Sequence, residues 1–391
     1  MRPGAALPAR ARAGWLPGPG GAEVMTLLAR AGRAYFVGGC VRNALIGAAA
    51  TDIDIATDLA PETVLDLAGA AGMKAVPTGI AHGTVTLVSA GRCFEVTTFR
   101  RDVETFGRHA TVAFTDRLAE DAARRDFTMN ALYADAEGRV IDPLGTGLAD
   151  LAARRLRFVG DPERRIAEDY LRIARFFRFH AWYADPKGGI DAEGLAACAA
   201  GQEGLDRLSR ERVGAEARKL LAAPDPAPAV AAMAATGILA RLLPGADPRF
   251  LAPLVALEAA AGIGPDWPRR LAILAVGADW TEALRLSRLE QRRLRAIAAA
   301  LEAPSPAAAY AEGPEAALDA ALIAAASAGG PLPEGLSAAI ARGAAAVFPV
   351  APADLPLTGA ALGRALRELK TAWLASDLTL DGEALRARLL P

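Results

Sequence analysis

The sequence contains little cysteine and histidine, and it has no long apolar run. Its three cysteines, Cys40, Cys93 and Cys198, have no paired spacing, which argues against a disulfide framework and against a zinc site. This cysteine usage fits a reducing, cytoplasmic setting. Since no segment is long and apolar enough to cross a bilayer, we expect no membrane partner. No feature of the sequence implies a protein partner.

Lysine is almost absent, whereas arginine is plentiful, and the formal net charge is only −1 at pH 7. The overall balance therefore does not indicate nucleic-acid binding, but the local balance differs. Between Arg154 and Arg178, eight arginines stand against four acids. Because the guanidinium fork suits bidentate contacts to phosphate and bases, this segment is a candidate RNA-binding surface.

The chain changes character near residue 151. Residues 34–150 read as α/β, with predicted strands at 34–37 and 51–58, helices at 40–47 and 60–72, and a β-hairpin over 83–99. Residues 100–116 lack clean periodicity and are predicted to be a mobile loop. Helical patterns dominate afterwards, including one helix over 161–183. We therefore predict a tail at 1–22 that is disordered, a catalytic head at 23–150, a helical neck at 151–220 and a helical body and tail at 221–391.

Two aspartates lie one residue apart in the stretch "TDIDIATD". Side chains alternate on a strand, so Asp52 and Asp54 share one face and Ile53 and Ile55 the other. Two carboxylates on one face repel each other, and a Mg²⁺ ion with substrate phosphates would relieve that repulsion. Glu95 in "FEVTTF" is a candidate third carboxylate. An exposed, solvated strand face explains the same residues when they are considered alone.

Gly38 and Gly39 stand at a predicted strand-to-helix turn. Glycine allows close approach of the backbone to a ligand, and the helix start offers free N–H groups to an anion. Arg42, on the first helical turn, is placed to bind the same anion. Taken alone, such a pattern is more often a tight turn with a surface arginine. No G-K-S/T follows, so the motif is not a P-loop.

Two further clusters carry candidate site residues. "RRDFTMNA" places Arg125 and Asp126 side by side, either to bind a triphosphate or ribose or to form salt bridges at a helix start. In "EDYLRIARFFR", Asp169 and Arg172 are three residues apart, so they are predicted neighbours on one helix. Such a pair is usually an ordinary ion pair. It also matches the Watson–Crick edges of cytosine and adenine, which present an amine donor beside a ring-nitrogen acceptor. Uracil and guanine present a carbonyl in place of the amine and would leave the two side chains without partners.

The motifs "GGCVRN", "DIDIATD", "EVTTFRRD", "RRDFTMNA" and "EDYLRIARFFRF" stand in the order and spacing of a known family. Over roughly residues 30–245 the chain resembles bacterial class II tRNA nucleotidyltransferases, the CCA-adding enzyme and poly(A) polymerase family. The resemblance implies an α+β fold: a polymerase-β-like nucleotidyltransferase head with a mixed or antiparallel sheet, followed by an all-helical neck, body and tail.

The resemblance also implies roles for individual residues. Asp52 and Asp54 would be the metal ligands and, with Glu95, the catalytic carboxylates. The nucleotide-binding residues would be Gly38, Gly39, Arg42, Arg125, Asp126, Asp169, Arg172, Arg175 and Arg178. Arg178 is a point of conflict, because a 60° drift per three residues puts it almost opposite Asp169 on a regular helix. Asn43 also departs from the family, which usually has aspartate there.

The implied function is addition of CCA to tRNA 3′ ends from CTP and ATP, with Mg²⁺ as cofactor and pyrophosphate as the second product. The motifs do not separate this activity from that of a poly(A) polymerase or of a partial A- or CC-adding enzyme. An alternative of another class is a catalytically inactive RNA-binding adaptor. Retention of Asp52, Asp54, Asp169 and Arg172 argues against that alternative.

Overall fold

A computed structural model describes residue 7 and residues 18–49, 52–106, 109–275 and 279–389, with only the backbone described at residue 19 and between 102 and 112. The chain divides into two compact units, an N-terminal unit of residues 1–208 and a C-terminal unit of residues 209–391. None of the helices in the described ranges is long and apolar enough to cross a membrane.

Nine strands occur in the described part of the N-terminal unit. They are β1 (Ala34–Val37), β2 (Asp54–Thr57), β3 (Lys74–Gly79), β4 (Thr84–Ser89), β5 (Arg92–Thr98), β6 (Arg100–Phe106), β7 (His109–Phe114), β8 (Tyr133–Ala134) and β9 (Val140–Ile141). Seven of them form one sheet in the order β3-β4-β5-β2-β1-β8-β9, while β6 and β7 pair separately. Strand β2 runs parallel to β5 and antiparallel to β1. The sheet is therefore mixed, as predicted.

Eight α-helices accompany these strands. They are α1 (Gly18–Leu28), α2 (Gly39–Ile46), α3 (Pro61–Ala70), α4 (Leu118–Ala123), α5 (Gly147–Ala153), α6 (Pro162–Glu168), α7 (Leu171–Tyr183) and α8 (Ala192–Ala200). Helix α2 ends where Gly47 adopts a left-handed conformation at φ 75°, and α3 begins at Pro61, whose fixed φ suits a first helical position. Short 3₁₀ turns lie at Ile80–His82, Thr128–Asn130 and Gln202–Arg207.

The core of the N-terminal unit forms where the inward faces of the strands meet helices. Phe36, Ile55 and Val96 are fully or almost fully buried on neighbouring central strands. A second group, of aromatic rings, joins α7 to the segment before it: Phe127 lies 5.0 Å from both Phe158 and Phe179, centroid to centroid. Aromatic pairs at such distances stabilise by about 0.5–1.5 kcal/mol beyond their buried area. This packing fixes α7 against the segments that carry Phe127 and Phe158.

The C-terminal unit is helical throughout the residues described. Its helices are α9 (Arg210–Leu221), α10 (Ala227–Ala235), α11 (Ile238–Leu242), α12 (Leu251–Ala260), α13 (Trp267–Leu274), α14 (Thr281–Leu284), α15 (Arg288–Leu301), α16 (Ser305–Glu312), α17 (Pro314–Ala328), α18 (Leu336–Ala345), α19 (Gly359–Ala375) and α20 (Gly382–Ala387), with 3₁₀ turns at Pro248–Phe250 and Pro352–Asp354. Its interior is alanine-rich and also holds a buried ion network. Arg269 pairs with Glu258 at 2.7 Å and with Asp319 at 3.0 Å.

Three predictions differ from the structure: the end of the N-terminal tail, the loop over 100–116 and the single helix over 161–183. Residues 18–22 belong to α1, so ordered structure begins before residue 23, while most of residues 1–17 lie outside the described residues. The prediction of a loop over 100–116 is wrong, because β6 and β7 pair from Arg100↔Phe114 to Phe106↔His109. A register shift between Asp102 and Glu104 interrupts the two-residue period, which hides the strand pattern in the sequence.

The predicted single helix over 161–183 is two helices. The chain leaves helical geometry at Asp169, whose φ of −153° and ψ of 105° are extended values. The Asp169 carboxylate then accepts a hydrogen bond from the backbone N–H of Leu171 at 3.1 Å. Aspartate commonly satisfies free N–H groups at a helix start in this way.

Candidate active site

The open face of β2 carries two carboxylates. Ile53 and Ile55 are buried beneath the sheet, and the alternate residues Asp52 and Asp54 are exposed on the other side. The two-residue period of an extended chain produces this separation. The structure thus places both aspartates on one face, as their spacing predicts.

Glu95 joins this face from the neighbouring strand. In the parallel pairing of β2 with β5, Asp54 is the register partner of Glu95, and both are exposed. Partial desolvation, together with repulsion from Glu95 and Asp52, raises the pKa of Asp54 to about 6, although Arg125 opposes the rise. No ion pair within 4 Å involves any of these three carboxylates in the part of the chain that is described. The cluster therefore carries negative charge that a cation would relieve.

The chemistry of this face fits a small divalent cation that keeps some of its ligands from elsewhere. Across the described residues, no group of three or more His, Cys, Asp or Glu side chains is arranged to hold a metal ion. Mg²⁺ is commonly bound by one or two carboxylates together with substrate phosphates. Asp52 and Asp54 are such a pair, while Glu95 lies beside them without completing a three-residue cage.

Gly38 forms the turn between β1 and α2. Its φ of 74° is unfavourable for residues with a Cβ, and a Cβ here would lie 3.4 Å from Nη1 of Arg125. Glycine thus brings the backbone close to an arginine side chain. Gly39, the first residue of α2, has the side chain of Arg42 nearby: Nη2 would lie 3.6 Å from a Cβ on Gly39. The paired glycines open a narrow space next to two guanidinium groups.

Arg125 is held in place by groups behind it. Its Nε donates to the hydroxyl of Tyr133 at 3.0 Å, and its Nη2 donates to Asp121 at 3.0 Å. Asp121 is fully buried and also binds Arg124 at 2.7 Å. Burial would raise the pKa of Asp121, but Arg125, Arg124 and the hydrogen bond from Tyr133 outweigh it and lower the pKa to about 2. A permanent carboxylate therefore orients Arg125 so that Nη1 faces Gly38.

Arg42 is buried rather than exposed. Its Nη1 donates to Asn130 and its Nη2 to the hydroxyl of Tyr183 at 2.8 Å, and the guanidinium lies 3.9 Å from the centre of the Tyr183 ring. Burial lowers its pKa to about 10, so it is charged at neutral pH. The Oδ1 of Asn43 accepts from Nε at 3.1 Å and from Nη2 at 2.9 Å. Arg42 thus lies beside the glycine turn, but most of its donors already have protein partners.

Asp126 lies in the same buried network. Its Oδ1 accepts from the backbone N–H of Phe127 at 2.8 Å and from Asn130 at 3.0 Å, and its Oδ2 accepts from Nε of Arg175 at 2.8 Å. Although burial would raise the pKa of Asp126, Arg175 and these hydrogen bonds bring it to about 2. The network joins Arg42 to Arg175 through Asn130 and Asp126. In this arrangement Asp126 faces protein groups.

Asp169 and Arg172 are close in the chain, but they are not on one helix. The backbone N–H of Arg172 donates to the carbonyl of Asp169 at 2.9 Å, and Arg172 lies on the first turn of α7. The Nη1 of Arg172 donates to Glu168 at 2.5 Å and to the carbonyl of Arg165 at 2.7 Å, while Nη2 donates to the carbonyl of Arg124 at 3.1 Å. These contacts, rather than an Asp169–Arg172 ion pair, orient the guanidinium.

Three arginines surround the ring of Phe179. The guanidinium carbons of Arg178, Arg42 and Arg175 lie 4.3, 5.0 and 5.3 Å from its centre. The break at Asp169 changes the helical frame, so the angle calculated for one continuous helix does not describe Arg178. The structure therefore places Arg178 with Arg42 and Arg175.

Four residues that shape this region were not predicted as site residues: Asp121, Tyr133, Glu168 and Tyr183. The sequence does hold a signal for two of them, because Asp121 precedes Arg124 and Arg125 by three and four residues, and Glu168 precedes Arg172 by four. Tyr133 and Tyr183 contact their arginines over longer separations, which the local sequence does not indicate.

Two family models match separate segments of the chain. A family model described as "Poly A polymerase head domain" matches residues 34–157, and one described as "Probable RNA and SrmB- binding site of polymerase A" matches residues 189–250. Residues 34–157 and 189–250 thus match domains of the class II CCA tRNA nucleotidyltransferase and poly(A) polymerase family. The expected α+β fold, a mixed-sheet head followed by a mostly helical region, is confirmed.

Two curated relatives illustrate the sequence similarity. "CCA tRNA nucleotidyltransferase 1, mitochondrial" of Mus musculus is 42% identical over 185 residues, which is 47% of this chain and 42% of the relative. The "CCA-adding enzyme" of Geobacillus sp. (strain WCH70) is 40% identical over 217 residues, 55% of this chain and 52% of the relative. The chain thus matches about half the length of these relatives.

Two solved structures extend the similarity over most of the chain. The CCA-adding enzyme of Bacillus stearothermophilus in complex with CTP is 28% identical, with a TM-score of 0.68 over 94% of this chain and 96% of that one. The Thermotoga maritima CCA-adding enzyme complexed with tRNA is 19% identical, with a TM-score of 0.65 over 94% of each chain. The second likeness concerns the fold alone.

Proposed function

We propose that this protein adds CCA to tRNA 3′ ends from CTP and ATP in a Mg²⁺-dependent reaction that releases pyrophosphate. The observation that carries the proposal is the exposed, unpaired carboxylate face of Asp52 and Asp54 beside the glycine turn at Gly38 and the anchored Arg125. One side of this region is acidic and suits a cation, and the other is basic and suits a triphosphate.

Each part of the site has a task in the transfer. Asp52 and Asp54 would hold Mg²⁺, and the bound ion would activate the terminal 3′-OH and neutralise charge on the triphosphate. Arg125, fixed by Asp121, directs Nη1 toward the space beside Gly38 and binds phosphate oxygens there. Since Asp121 remains ionised, Arg125 needs no rearrangement to present its charge, and such preorganisation favours the transition state.

Selection of the base is assigned to Asp169 and Arg172. Asp169 accepts a hydrogen bond from the exocyclic amine of cytosine or adenine, and Arg172 donates to the adjacent ring nitrogen. UTP and GTP would bring a carbonyl oxygen toward the Asp169 carboxylate and leave buried groups unpaired. Glu168 and two backbone carbonyls hold Arg172, which limits its freedom to adapt to the other bases.

The RNA substrate is proposed to be the end of a tRNA, bound by shape and phosphate contacts rather than by sequence. The arginine-rich segment from Arg154 to Arg178 supplies positive charge for such contacts. We propose that the reaction takes place in the cytoplasm, because Cys40, Cys93 and Cys198 form no disulfide in the described part of the chain, as in a reducing compartment.

Nucleotide addition to defined tRNA ends tests the proposal. Transcripts ending before, within and after CCA are offered to the purified protein with each NTP and Mg²⁺, and the products are sequenced. We expect C, C and A to be added in order and addition to stop. Continued addition of A would indicate a poly(A) polymerase, addition of C alone or A alone a partial enzyme, and tRNA binding without any addition an inactive adaptor.

A further inference from the structure

A cavity of about 570 Å³ lies in the N-terminal unit apart from the proposed nucleotide site. None of the residues proposed above to bind metal or nucleotide lines it. Its walls come from β6, from the end of α4, from the segment before α6 and from α6 itself. Its charged lining residues are Arg101, Glu120, Arg124, Asp161, Arg164 and Arg165, an excess of two positive charges.

The lining arginines differ in whether they already form ion pairs with protein carboxylates. Arg124 is paired with the buried Asp121, and Arg165 with Glu168. Arg164 is different, because its side chain is 74% exposed and its contact with Glu168 is a long one of 3.6 Å. Arg101 is exposed as well, and no ion pair of its side chain occurs in the part of the chain that is described.

The acidic lining residues do not cancel these two arginines. Glu120 accepts a hydrogen bond from Thr115 at 2.8 Å and pairs at 3.2 Å with Arg117, a residue that does not line the cavity. Asp161 accepts from the backbone N–H of Arg164 at 2.8 Å and caps α6. Two guanidinium forks with unused donors therefore face a cavity large enough for a phosphate group and its sugar.

We propose that this cavity is a phosphate site for the RNA backbone of the tRNA, with Arg101 and Arg164 as the contacting residues; this rests on the proposed function. Guanidinium groups match phosphate oxygens bidentately. The cavity also adjoins the supports of Arg172, since the carbonyls of Arg124 and Arg165 that hold Arg172 belong to its lining residues. An RNA phosphate bound here would hold the tRNA beside the base-selecting residues.

The test is tRNA binding by the double variant Arg101→Ala/Arg164→Ala, measured by fluorescence anisotropy over a range of salt concentrations without NTP. We expect Kd to rise about tenfold and the slope of log K against log salt to fall by about 0.7–0.9, because the contact to one RNA phosphate is lost. The KM values for CTP and ATP should not change, because the double variant keeps Glu168 and the backbone carbonyls of Arg124 and Arg165, which hold Arg172. The matched control is Arg30→Ala, which replaces an exposed arginine in the turn that follows α1.

The outcomes separate this site from the proposed function. A Kd and slope equal to those of the control would overturn the site, even in an enzyme that adds CCA. A lowered slope in a protein that adds no nucleotide would support the site and overturn the function. Titration with pyrophosphate distinguishes a free ligand: if the wild type binds it, the double variant does not, and tRNA affinity is unchanged, the assignment to RNA is overturned.

Discussion

Replacing the buried carboxylate of Asp121 tests most directly which interactions stabilise the site. Asp121 is fully buried and binds Arg124, Arg125 and the hydroxyl of Tyr133. Lowering its pKa from the ordinary 3.8 to about 2 corresponds to about 2 kcal/mol in favour of the ionised form. Removing one partner of a buried ion pair costs about 3–5 kcal/mol when the other is left unpaired. We therefore expect Asp121→Asn to lower the free energy of unfolding by about 2–4 kcal/mol at pH 7.

The pH dependence follows from the same value. The pKa of Asp121 is lower in the folded state than in the unfolded state. The ionised carboxylate therefore makes its full contribution to the free energy of unfolding well above pH 3.8, and this contribution is lost as the pH falls toward 2. At pH 3 the charge-dependent part should be about 1 kcal/mol, roughly half of its value at pH 7. The deficit of Asp121→Asn relative to the wild type should shrink accordingly.

Urea unfolding at pH 7 and at pH 3 measures the stability difference between Asp121→Asn and the wild type. Pulsed hydrogen exchange with mass spectrometry reports on peptides from the N-terminal unit. The control is Asp135→Asn, which removes an ion pair with Arg139 on the surface. Surface pairs contribute little, so this control should behave like the wild type. Equal stability of Asp121→Asn and wild type at pH 7, or a deficit that does not change at pH 3, would refute the argument.

Three other substitutions test the remaining assignments. Asp54→Asn should abolish incorporation of labelled CTP without lowering the melting temperature, because the residue is exposed; near-normal incorporation would remove it as a metal ligand. Arg172→Ala should reduce discrimination against UTP by at least about tenfold in kcat/KM, and unchanged discrimination would contradict base selection by this residue. Asp319→Ala should lower the urea stability of the C-terminal unit by about 3–5 kcal/mol, because Arg269 and Arg293 lose a buried partner at 3.0 and 2.5 Å; a loss below 1 kcal/mol would contradict this.

The local features of the site were predictable because they depend on short-range geometry. The two-residue period places Asp52 and Asp54 together, and the glycine pair indicates a turn where only Gly38 adopts positive φ. In contrast, the burial of Arg42 depends on Asn130, 88 residues away, and on Tyr183, 141 residues away. A motif read along the chain contains neither partner, so it predicted an arginine free to bind an anion.

The helix break at Asp169 shows a different limit. A sequence period of 3.6 continues across residues 161–183, because both α6 and α7 bury apolar residues on one side. Aspartate two residues before Leu171 is a helix-start signal, but it competes with this continuous pattern. The resulting turn places Glu168, rather than Asp169, against Arg172.

Asn43 shows how a departure from the family pattern fits the chemistry of the site. Its amide oxygen accepts the two hydrogen bonds from Arg42 that a carboxylate oxygen would accept, and its Nδ2 donates to the carbonyl of Ala49 at 2.8 Å, which an ionised aspartate would not do. The amide therefore keeps Arg42 in place without neutralising it. Since Asp126 is the acid that the buried network provides, an uncharged residue at 43 preserves the positive charge beside the glycine turn, where the triphosphate is proposed to bind.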